Sequence, residues 1–126
     1  MMRALLIQPP FIDKILDGTK TWEMRGSRTT IRETVALVRS GSGIVVGVCD
    51  LVDCIGPLTA SEYHKNAAKA GIHPSEARVG WYRNTYAWVV ERPRTLKKPV
   101  PYTHPAGAII WVTLYPGVER AIRRQL

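Results

Sequence analysis

The chain has 126 residues, of which 45% are hydrophobic and 22% charged, enough for one domain whose core needs neither disulfides nor metal. Its 18 lysines and arginines outnumber its 10 aspartates and glutamates, giving a net charge of +8 that favours anionic partners, nucleic acid first. No stretch approaches the roughly 18 apolar residues of a membrane span, and Met1-Met2-Arg3 leads straight into a strand rather than a signal sequence, so the expectation is a single cytoplasmic domain over residues 1–126, a monomer with no membrane contact.

Residues 3–8 read as a first strand, ended by Pro9-Pro10. Proline costs nothing in the first turn of a helix, because its missing N–H has no partner there. A helix over 10–17 then buries Ile12, Ile15 and Leu16 at helical spacing. Gly18 stops it, since glycine takes the left-handed conformation after a helix without steric cost. Thr21 and Trp22 favour a strand, and that strand carries Lys20, Glu23 and Arg25 within six positions. Alternation puts Glu23 and Arg25 on one face and Trp22 and Met24 on the other, with Lys20 at the strand mouth able to turn toward the first face. Residues 26–30 read as loop, and Arg28 and Arg32 form a basic cluster there, suited to a phosphate or simply solvated.

Residues 34–39 and 44–55 read as two strands around Ser40-Gly41-Ser42-Gly43. That turn lacks the Lys-Ser/Thr and the helix of a phosphate loop. The second strand is apolar on both faces, as in a wall covered on both sides, and Gly47 marks a bulge, a bend or a close backbone approach. Thr59 and Glu62 fit a capping box for a helix over 60–70, ended by Gly71, and Pro74 opens a second short helix. The polar face carrying His64, Lys65 and Lys69 is expected to pack over one mouth of a barrel, with His64 a surface residue rather than a base. Gly80-Trp81-Tyr82-Arg83 is an aromatic and basic turn. A strand over 86–92 places Tyr86, Trp88 and Val90 on one side. Residues 93–105, rich in proline, read as an irregular crossing, 108–114 as the last strand, and 118–126 as a basic helix with Glu119 and Arg123 in i,i+4 support.

Cys49 and Cys54 lie an odd number of positions apart in one strand, which points them to opposite faces. His64, His73 and His104 show no ligand spacing. Neither a metal nor a cofactor is expected.

Gly18, Lys20, Glu23 and Arg25 spell G-x-K-x-x-E-x-R, which resembles the signature of the ASCH domain family, small proteins with a PUA-like β-barrel. Leu6-Ile7-Gln8-Pro9-Pro10 followed by a helix, and the late strand after Gly107, are similar to that family as well. The resemblance covers residues 3 to about 115. It implies a mainly β (α+β) fold, a PUA-like barrel of about five to six strands with two to four flanking helices, with the basic helix over 116–126 appended. It also implies RNA-related work and a tyrosine-bearing strand beside the motif strand, which makes Tyr86 the second wall of the pocket.

The first functional expectation is binding of RNA or a nucleoside or nucleotide, single-stranded or modified. Lys20 and Arg25 meet a phosphate or base carbonyl, Glu23 accepts from an exocyclic amine, and Trp22 or Tyr86 stacks. Gly18, Thr21 and Arg28 complete the ligand set, with Arg32, Arg83 and the C-terminal arginines along a backbone track. The alternative is a metal-independent hydrolase with Lys20, Glu23, Arg25 and Tyr86 as its catalytic residues, either a ribonuclease or an N4-acylcytidine amidohydrolase. The resemblance to the amidohydrolase branch implies a lysine base and a threonine nucleophile three residues later. That position is Glu23 here, a departure that counts against the threonine route and leaves Glu23 as a base activating water. In a third reading Glu23 and Arg25 are an architectural ion pair only.

Overall fold

The computed structural model describes the backbone of residues 1–126 and every side chain except that of Trp81. Six strands form one mixed sheet: β1 (Arg3–Ile7), β2 (Trp22–Arg25), β3 (Glu33–Arg39), β4 (Ile44–Ile55), β5 (Tyr86–Pro101) and β6 (Trp111–Thr113), ordered β2-β5-β4-β3-β1-β6. Only β1 and β3 run parallel, in the register Ala4 to Ala36; every other pair is antiparallel. The helices are α1 (Phe11–Leu16), α2 (Ala60–Lys65) and α3 (Pro116–Arg123), with 3-10 turns at Pro74–Glu76 and Val79–Trp81. The sheet curls into a half-barrel.

Burial on both faces explains why residues 4–7 of β1 and 35–38 of β3 are apolar without a break, successive side chains pointing to opposite sides. Leu5, Ile7, Val35 and Leu37 face a cluster that α1 closes with Ile12 and Ile15. Ala4, Leu6, Ala36 and Val38 face the opposite cluster, which α3 closes with Ile122. Glu119 and Arg123 on α3 pair at 2.8 Å. The capping box forms as the sequence predicts, with the Glu62 amide donating to Thr59 Oγ1 at 3.1 Å and the Thr59 amide to Glu62 Oε1 at 2.9 Å.

Four expectations need correction. The helix expected over 60–70 ends at Lys65, because Asn66 leaves helical geometry at φ −109° and ψ 17° and its side-chain amide donates to the Glu62 carbonyl at 2.7 Å; the carbonyls of Lys69, Ala70 and Gly71 beyond it accept from α1 and the segment that follows α1. The strand expected to stop at Arg92 continues to Pro101 and pairs with β4 as far as Ile44. Beyond Val90 this strand has no β2 beside it, so prolines 93, 99 and 101 sit where one edge is open and a missing N–H is tolerated. The last strand is three residues long, and Ile109 before it is 79% exposed. Finally, β4 carries one extra residue relative to β5 between Leu51 and Asp53. This bulge breaks the alternation between the two cysteines, and both pack against the same cluster.

Cys49 is buried, and that burial pushes its thiol up to about 12. Cys54 is half-buried. A thiol-disulfide reagent at pH 8 is therefore expected to label Cys54 in the native protein and Cys49 only after unfolding, since the thiolate is the reactive form; mass spectrometry of the labelled peptides reads the order.

Among the described residues, no helix is long and apolar enough to cross a membrane, and no three His, Cys, Asp or Glu side chains gather.

Candidate functional site

The segment from α1 to β2 positions the site. Gly18 follows the helix at φ +86°, the left-handed region that favours glycine, and its amide donates to the Ile15 carbonyl at 3.1 Å. The Lys20 amide then donates to the Lys14 carbonyl at 2.9 Å, and the amides of Thr21 and Trp22 both donate to the Lys69 carbonyl at 2.9 Å. Lys14 Nζ reaches the Gly71 carbonyl at 2.6 Å. The junction is thus stapled to residues 69–71.

Lys20, only 3% exposed, donates through Nζ to the Trp22 carbonyl at 2.5 Å and the Ala70 carbonyl at 2.6 Å. It also lies 3.5 Å from Glu23 Oε1 and 5.2 Å from the centre of the Phe11 ring. Burial pushes the Lys20 amine below its ordinary value, while the Glu23 carboxylate works in the opposite direction. The other carboxylate oxygen of Glu23 accepts from Arg25 NH2 at 2.7 Å and Nε at 3.2 Å. Glu23 therefore stands between an ammonium and a guanidinium, with its side chain 9% exposed. Arg25 does more than pair. Its NH2 donates to the Leu6 carbonyl at 2.8 Å, and the guanidinium lies 5.7 Å from the Trp88 ring centre. Strands β2 and β1 are not sheet neighbours, so Arg25 ties the edge strand across the mouth of the curl.

These three side chains line one cleft of about 480 Å³, together with Phe11, Met24, Tyr63 and Thr85. Its volume falls within the roughly 300–1,000 Å³ of small-molecule sites. Gln8 and Ser40 add polar groups to the lining, and Arg78, Tyr82 and Ile109 complete it. Tyr63, on α2, is pushed above the usual phenol value, first by burial and then by its neighbours Tyr82 and Glu23.

Of the sequence-predicted site residues, Lys20, Glu23 and Arg25 meet in the cleft and the others do not. Trp22 is 6% exposed and packs with Leu58, Tyr63, Ala70 and Ala87, with Lys69 Nζ 5.3 Å from its ring centre. It is core, not a stacking platform, whereas Met24, expected beside it, lines the cleft. Tyr86 pairs with Arg25 in the sheet, but its ring turns toward Gly56 and lies 5.1 Å from the Arg28 guanidinium. Arg28 also donates to the Gly56 carbonyl at 3.2 Å, and Arg32 caps the carbonyls of Thr29 and Ile31. Arg32 thus binds its own loop and Arg28 the turn after β4. Gly18 and Thr21 act through the backbone. The aromatic side chains that do line the cleft are Phe11, Tyr63 and Tyr82. The aromatic, basic turn at Gly80-Trp81-Tyr82-Arg83 was the available signal for Tyr82; nothing local distinguished Tyr63 from an ordinary buried helix residue.

Comparison with known proteins adds the family. Residues 5–100 match the sequence profile of the ASCH domain. The fold is similar to the crystal structure of ASCH from Zymomonas mobilis, with a TM-score of 0.76 at 12% identity, covering 98% of this chain and 94% of that one. A serine-to-alanine mutant of the Zymomonas mobilis protein gives 0.74 at 13% identity, covering 98% and 94%. A tyrosine-to-phenylalanine mutant gives 0.75 at 13% identity, covering 98% and 96%. No curated protein matches the chain. With a profile match spanning most of its length and the fold to go with it, this chain belongs to the ASCH domain family.

Proposed function

We propose that this cytoplasmic protein binds RNA or a nucleotide through the Lys20–Glu23–Arg25 cleft, gripping an unpaired base. The observation that carries this reading is the carboxylate of Glu23, fixed on both oxygens by cations at the inner end of a cleft with tyrosine rings. A carboxylate so placed accepts from the amino group of a base, and aromatic side chains beside it stack on the base face. The net charge of +8 draws the anionic backbone toward it. Binding is favoured over hydrolysis because Lys20 Nζ already has three partners, the Trp22 and Ala70 carbonyls and Glu23. An ammonium carries only three donors, which leaves none for an oxyanion.

Isothermal titration with the four ribonucleosides tests this reading. Adenosine, cytidine and guanosine carry an exocyclic amine and are expected to outbind uridine by about ten-fold, the worth of one hydrogen bond to a charged acceptor. Fluorescence anisotropy with short single-stranded RNA is expected to show affinity falling steeply with salt. Absence of binding to every nucleoside and to RNA at about 20 mM salt would refute the proposal. Release of a deacylated nucleoside or a cleaved strand would favour the hydrolase instead.

A further inference from the structure

Two residues outside the triad line the same cleft and have no structural task that explains them. Tyr82 is a large aromatic left 43% exposed. Its ring is seated against the backbone at Gly26, directly after β2, so closely that a Cβ there would lie 2.6 Å from Cδ1 and 3.0 Å from Cγ. Such a contact is possible only because residue 26 has no side chain. The glycine thus fixes where the ring lies relative to Glu23 and Arg25, three and one positions earlier on the same strand. Arg78 also lines the cleft and is exposed. It has no carboxylate partner among the described residues, unlike Arg25, which is engaged by Glu23 and Leu6.

We propose that Arg78 and Tyr82 set the specificity of the cleft: Tyr82 stacks on the base whose amine Glu23 holds, and Arg78 takes the phosphate, so that the site selects a nucleotide over the corresponding nucleoside. This inference rests on the nucleotide reading of the same cleft and sharpens it. A base is planar and uncharged, and it needs a face to lie on and an acceptor at its edge. Tyr82 supplies the face and Glu23 the acceptor. A phosphate is dianionic and hydrated, and it is met best by an exposed guanidinium whose paired donors are still available. Arg78 is the cleft arginine that fits this description; Arg25 already spends its fork on Glu23 and Leu6.

Titration of the wild-type protein and of Arg78→Gln, Tyr82→Leu and Gly26→Ala with the amino-bearing ribonucleosides and their 5′-monophosphates separates the parts. In the wild type the monophosphate is expected to bind at least about ten-fold more tightly than the nucleoside. Arg78→Gln should remove that preference and leave nucleoside affinity unchanged. Tyr82→Leu should weaken nucleoside and monophosphate alike, by about ten-fold, and keep their ratio. Gly26→Ala should reproduce the Tyr82→Leu loss, because its methyl group displaces the ring, and adding Tyr82→Leu to it should cost little more. Thermal melts confirm that each variant is folded; Arg78→Gln, at an exposed and unpaired position, provides the comparison least dependent on folding. Equal binding of nucleoside and monophosphate by the wild type, or a preference that survives Arg78→Gln, overturns the inference while leaving the base-binding site standing. If no nucleoside or monophosphate binds the wild type, the functional reading falls and this inference with it.

Discussion

Glu23→Gln is expected to abolish ligand binding and to lower the stability of the free protein by about 3 kcal/mol, as breaking a buried ion pair from one side does. Lys20 is the reason. Its ammonium is nearly out of solvent, and among the described residues Glu23 is the one carboxylate that pairs with it, at 3.5 Å. The glutamine keeps the shape and some hydrogen bonding but withdraws the charge, leaving Lys20 and Arg25 facing each other across a neutral amide. The effect depends on pH in a defined direction. Burial already lowers the Lys20 pKa beneath its ordinary 10.5, so the cost of holding the charged form is present at neutral pH and is relieved as pH rises through the folded-state value toward 10.5. Removing Glu23 lowers that value further. The stability gap between wild type and variant is therefore expected to narrow from neutral pH toward 10.5, as urea melts at several pH values would show. Adding Lys20→Met to Glu23→Gln should recover part of the lost stability without restoring binding. Recovery of stability with binding lost separates the architectural share of the pair from its share in recognition.

Arg25→Lys, a substitution that conserves charge, is expected to weaken ligand affinity by more than about ten-fold and to cost about 2 kcal/mol of stability. The guanidinium holds Glu23 with two nitrogens, reaches the Leu6 carbonyl at 2.8 Å and lies over Trp88. A lysine ammonium has no planar fork with which to make the first contact while keeping the others. Loss of the Leu6 bond frees the edge strand β2 from β1, and the cleft widens where the ligand enters. Trp88 reports the change, being stacked on Trp111 at 5.7 Å and donating to the Ser27 carbonyl at 2.9 Å. Its emission is expected to shift in Arg25→Lys. An unchanged affinity together with a shifted Trp88 signal would make Arg25 a fold residue alone.

The parts of this molecule that were legible in its sequence are those decided locally. A glycine after an amphipathic turn, a Thr59–Glu62 capping box and the alternation of β1 and β3 each follow from a few neighbouring residues. The convergence of Lys20, Glu23 and Arg25 is nearly as local, because it is set by one turn and one short strand. The aromatic walls are not local. Whether Tyr86 or Tyr82 lines the cleft depends on how residues 66–85 fold back over β2, and that path is fixed by carbonyls at 69–71 bonding to Lys14 in α1 and to Lys20 and the amides after it. Alternation likewise says nothing about bulges, so the cysteines were assigned to opposite faces although a β4 bulge between Leu51 and Asp53 separates them. The prolines of β5 looked like breakers because the open edge beside them is a property of the sheet order.

The most direct test of the central claim, that Glu23 holds a base within the cleft, is a nitrogen-15 correlation spectrum recorded while the tightest-binding nucleotide is added. Shifts are expected to concentrate on β2, on Arg25 Nε–H and on residues 78–85, with α3 and the Asp50–Arg92 surface left unmoved. Shifts centred on α3 or on that outer surface, with Arg25 Nε–H unchanged, would contradict it.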